Sequence, residues 1–96
     1  MTASETTGTV RVERVQTGVR IEVRLLKVLK ALAELKDITL GDLLEGIALH
    51  AFDGRQPFSQ STLNQIAQLR SVYGLTLAAD HAHRLSDEAT SESAAQ

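Results

Sequence analysis

At 96 residues without a single cysteine, the chain has room for one small domain and none for disulfides, thiolate metal sites or cysteine nucleophiles. Its formal charge of −2 does not advertise a nucleic-acid binder, and its only aromatic residues are Phe52, Phe58 and Tyr73, so any core is aliphatic. Charge interrupts every apolar stretch, which excludes a bilayer span, and the polar N-terminus lacks the apolar run of a signal peptide. Together with the missing cysteines this points to a cytoplasmic protein.

Residues 1–8 (MTASETTG) and 86–96 carry no apolar period and read as disordered tails, the second one acidic. Between them residues 9–54 form a first unit and residues 55–85 a second. From Thr9 to Ile21 apolar and polar residues alternate, the period of a half-buried strand. The alternation slips at Arg14 and Val15, as a bulge would make it, and Val15–Ile21 is the cleaner stretch. From about Glu22 the period lengthens: Leu25, Val28, Leu29, Leu32, Ala33 and Leu35 make the stripe of an amphipathic helix.

Lys36-Asp37-Ile38 ends that helix. Thr39, followed three residues later by Asp42, is a helix cap, and a second helix is expected over Leu40–Phe52 with Gly54 in its left-handed terminal position. Leu40, Leu43, Leu44, Ile47, Ala48, Ala51 and Phe52 form a continuous stripe with Leu49 beside it, more apolar surface than the first helix covers. A third helix, capped by Ser59 or Ser61, should run over Gln60–Tyr73 and stop at Gly74. A fourth is expected over Thr76–Leu85.

One short strand and two helices make no monomeric core. Pairing the strand with its copy across a two-fold axis satisfies its backbone groups and covers the second helix. The fold class expected on this basis is mainly α: a ribbon-helix-helix dimer with a two-stranded intermolecular antiparallel ribbon and extra C-terminal helices. Val19, Ile21, Leu25, Leu29, Leu44, Ile47, Ala48 and Phe52 would form the dimer core.

The stretch QTGVRIEVRLLKVLKALAELKDITLGDLLEGIALHAF, from Gln16 to Phe52, resembles the ribbon-helix-helix family of Arc-type repressors. The resemblance implies a homodimer that reads the major groove of double-stranded DNA with its ribbon. Gln16, Gly18 and Arg20 would then face the bases, Gln being suited to adenine and Arg to guanine. The amides of Thr39, Leu40 and Gly41 at the start of the second helix would hold a phosphate, with Arg24 and Lys27 as further backbone contacts. Gly18 departs from the polar middle position of the family, and the Asp42 carboxylate lies close to the phosphate position. The implied function is a repressor or antitoxin-type autoregulator. The helices after Pro57 would extend the dimer core or, over residues 57–85, form a surface for a protein partner or for higher assembly on DNA.

The competing reading keeps the dimer as a protein-interaction module without DNA binding; a third is an all-helical monomer. A helix-turn-helix is rejected, because Thr39 to Phe52 is built for burial rather than for a groove. His81 and His83, two residues apart, point away from each other on a helix, so no metal is expected. No nucleophile elbow, phosphate loop or dinucleotide fingerprint occurs, and neither catalysis nor a cofactor is expected.

Overall fold

The apolar stripe that begins at Leu25 becomes helix α1 (Val23–Lys36), the first of three in a computed structural model that describes residues 8–88. The Glu22 carboxylate caps it, accepting the Leu25 N–H at 2.8 Å. At its other end Asp37 adopts the left-handed conformation, φ 58°. This lets the Ile38 N–H reach the Ala33 carbonyl (3.0 Å) while the Asp37 N–H bonds that of Glu34 (3.1 Å). The paired bonds stop the helix without a glycine.

Helix α2 (Leu40–Phe52) starts where Thr39 Oγ1 accepts the Asp42 N–H at 3.0 Å, satisfying one of the orphan donors of the first turn. It leads into Gly54 at φ 69°. Helix α3 (Gln60–Tyr73) is capped by Ser59 rather than Ser61: the Ser59 hydroxyl accepts the Thr62 N–H at 3.2 Å. Gly74, at φ 67°, closes α3 and lets the Leu75 N–H turn back to the Arg70 carbonyl at 2.8 Å.

Helix α1 is the spine, packing against both α2 and α3. Leu32, Ala33 and Leu43 form the centre of the core, with Leu29, Ile47, Phe58, Ile66 and Leu69 against them. Leu32 is the most enclosed, at 2% exposure. Thr62 is the one polar residue among the described residues buried to the same degree, at 3%. Its hydroxyl would be costly there without partners, and it accepts from Lys36 Nζ and from the Ser59 hydroxyl.

The fold departs from the ribbon-helix-helix expectation. No strand occurs among the described residues, and 9–22, where the ribbon was expected, is an arm that is neither helix nor strand. Alternation makes a strand only when a second backbone lies alongside to pair with, and among the described residues no segment does so. With no ladder there is no bulge at Arg14 and Val15 either. The fourth helix is also missing. Only a 3-10 turn, Ala79–His81, lies in its place. Side chains compete for its backbone: Arg70 of α3 takes the carbonyls of Leu75 and Leu77 (3.4 and 2.7 Å), and the Ala78 N–H donates to His81 Nδ1 at 2.9 Å. These side chains use backbone groups that a helix needs, and so short a helix is marginal alone.

Candidate functional site

The arm carries most of the residues expected to meet DNA. From Thr9 to Arg20 every residue is exposed, Gln16 and Gly18 included. The four arginines between Thr9 and Arg24, set against Glu13 and Glu22, leave this stretch two positive charges in excess. Its guanidiniums are not equally free. Arg14 makes a bidentate pair with Glu45 of α2, both bonds 2.7 Å, a fork geometry that links the arm to α2. That contact holds the Glu45 carboxyl below its ordinary value, through the hydrogen bonds first, with desolvation opposing and charge attraction adding. In return the bonds and charge of Glu45 raise Arg14.

Arg20, the expected guanine reader, pairs with Asp87 from the far end of the chain. Arg24 turns inward: its Nε bonds Glu22 at 2.9 Å and its Nη1 donates to the Gly74 carbonyl at 3.1 Å. Glu22 is thereby engaged twice, by the Leu25 amide and by Arg24, and both contacts hold its carboxyl below the ordinary value. Lys27 is exposed on α1. Of the arginines expected at DNA, Arg20 and Arg24 are thus both engaged with groups of their own chain.

The expected phosphate seat lies at the start of α2. Thr39 Oγ1 is committed to the Asp42 amide, and Leu40 and Gly41 form the first turn. An open hollow of about 760 Å³ brings Thr39 and the arm residues Thr9, Val10 and Arg14 together, with Asp37 and Asp42 on its wall. Arg14 and the cap thus line one hollow, but the guanidinium is committed to Glu45 and the two carboxylates on the wall work against an anion.

The residues expected in a dimer core remain uncovered to different degrees. Leu29, Leu44, Ile47 and Ala48 are half-buried, as is Ile21, and Leu25 lies at the edge of exposure. Val19 and Phe52 stand in solvent, 72% and 83% exposed. Leu49 joins Phe52 on the outer side of α2, which touches α1 but makes no comparable contact with α3. An aliphatic helix seldom leaves a face of this kind open without a partner.

A second apolar feature was not anticipated. Leu25, Leu29, Phe58 and Ile66 line a groove of about 380 Å³, bordered by the segment from Leu75 to Leu85. Arg70 stands at its edge, and its hydrogen bonds to two main-chain carbonyls hold that segment there. No sequence period marks this role.

Among the described residues no three potential metal-ligating side chains come together, and no helix is long and apolar enough to cross a membrane. Compared with family models, curated proteins and solved structures, the chain finds no match.

Proposed function

We propose that the protein is a DNA-binding regulator that acts as a homodimer, with the arm of residues 9–22 supplying the DNA contacts and the outer face of α2 joining two copies. The observation that carries this is the arm itself: exposed as far as Arg20, free of secondary structure, and in positive excess within a chain that is acidic overall. An arm of this kind delivers guanidiniums to phosphates and to a groove without needing a ribbon. Gln16 and Arg20 are the residues able to discriminate bases, and Arg11 and Arg14 supply charge. The apolar surface of Leu49 and Phe52 supports the dimer, which doubles the number of arms per particle.

Selection of bound sequences from random duplex DNA, followed by a salt titration, tests the reading. Three arm arginines from each of two copies give a slope of log affinity on log salt of about −5. Arg20→Ala should lower affinity for the selected site more than for random DNA. No enriched sequence together with salt-independent binding refutes it.

One observation favours a second reading, a dimeric protein-interaction module without DNA binding. Arg14 and Arg20 are both already paired with carboxylates, while the α2 face is open. Sedimentation of the wild type and Phe52→Glu separates the two. A dimer lost in Phe52→Glu, with no DNA affinity in the wild type, decides for the module.

A further inference from the structure

We infer that the acidic pair Asp87 and Glu88 is a latch on the arm, competing with DNA phosphate for Arg20 so that the chain restrains its own binding. The inference rests on the DNA-binding reading above and adds a means of regulating it.

Three observations lead to it. First, Arg20 and Asp87, 67 residues apart in sequence, form an ion pair. Second, the route that brings Asp87 to the arm is built into the domain. Gly74 reverses the chain at the end of α3, and its carbonyl is tied to Arg24 at the foot of the arm (3.1 Å). Leu75 is then buried, Arg70 fastens the Leu77 carbonyl, and Leu85 lines the groove beside α1. Asp87 follows two residues later. Third, Asp87 and Glu88 are adjacent acids with no basic residue after Arg84 in the sequence, whereas the arm is in basic excess. The latch is thus a local meeting of opposite charges at the end of a segment fastened to the helices at Leu75 and Leu77.

Its weakness is functional. Arg20 and Asp87 both lie in solvent, so their attraction is modest and screened by salt. DNA, with its dense phosphates, displaces such a contact readily, yet the tether keeps the local concentration of acid high at every encounter. Non-specific binding is reduced most, because it depends on charge alone. A site that also uses Gln16 and base contacts from Arg20 recovers the loss.

The test compares the full chain with a chain ending at Ser86 and with Asp87→Asn/Glu88→Gln, using fluorescence anisotropy on a short labelled random-sequence duplex. Loss of the acids should tighten binding by about fivefold at about 50 mM salt, the upper end for an exposed pair, and the difference should shrink at about 200 mM. Equal affinity of all three proteins overturns the latch and leaves the DNA reading standing. No binding by any of them removes the DNA reading, and the latch's role with it.

A second readout needs no DNA. The chain has no cysteine, so Ser86→Cys carries a unique nitroxide label. At low salt the label should broaden the amide signals of Val19 and Ile21, and adding Asp87→Asn should restore them. Unbroadened signals at low salt overturn the contact itself.

Discussion

Arg70 fastens the C-terminal segment to the helices, and Arg70→Met separates that clasp from simple packing. Methionine keeps an unbranched, flexible chain at the edge of the groove but donates nothing. The 2.7 Å bond from Arg70 Nη2 to the Leu77 carbonyl is then lost, together with the longer 3.4 Å contact from Nε to that of Leu75, which adds little. A hydrogen bond from a charged donor contributes about 1.5–3 kcal/mol, and the half-buried position of Arg70 argues for the lower end, about 1.5 kcal/mol. For a domain this small that corresponds to a fall in Tm of roughly 6–12 °C. Leu75, itself buried, should hold its end of the segment, so the loosening starts beyond it. Thermal unfolding by circular dichroism at fixed protein concentration measures the first effect; hydrogen exchange at the Ala78 amide, which donates to His81 Nδ1, measures the second. A Tm shift below about 2 °C with Ala78 still protected would refute the clasp, since a bond of the stated strength predicts several times more.

Leu32→Ala removes the best-enclosed side chain of the core and should cost about 3 kcal/mol, seen as a lower urea midpoint with unchanged slope. Asp37→Gly relieves a left-handed residue that costs about 1 kcal/mol in an L-amino acid, so stability should rise by up to about that amount in thermal melts; a clear loss would contradict the terminal geometry of α1. Acid should weaken the fold through Glu22 and Glu45. Their folded values lie below the ordinary 4.5, so their contribution is complete above that pH and lost as the pH falls through the folded values. Urea titrations of Glu22→Gln should accordingly show a shallower loss of stability below about pH 4.5 than the wild type; an unchanged slope would mean that the cap contributes nothing.

The helices were legible because each carries its own punctuation. Thr39 and Ser59 announce the starts of α2 and α3, Gly54 and Gly74 their ends, and the stripe from Leu25 fixes the face that α1 buries. Glu22 was harder to read. In the sequence it marks only where the period lengthens, yet its carboxylate caps α1, a role visible only in its spacing of three residues from Leu25. The ribbon was misread because alternation describes which side chains prefer burial, not whether a second backbone is present to pair with. The segment after Gly74 failed for a different reason. Its apolar residues fit a helix, but Arg70, from another element, claims their carbonyls, and such competition does not show in a local pattern. The pairing of Arg14 with Glu45 and of Arg20 with Asp87 depends on how distant segments meet. Knowing the arm was basic did not indicate which acids would answer it.

The clasp between Arg24 and Gly74 has a practical consequence. The chain holds no tryptophan and one tyrosine, and that tyrosine, Tyr73, immediately precedes the glycine whose carbonyl Arg24 grips. Tyr73 is partly exposed at the end of α3. Intrinsic ultraviolet emission from this protein therefore originates essentially at one point, the seam where the foot of the arm meets the departing C-terminal segment. Quenching by iodide or a change in emission lifetime reports on that seam directly, giving the molecule a built-in optical gauge that needs no attached dye.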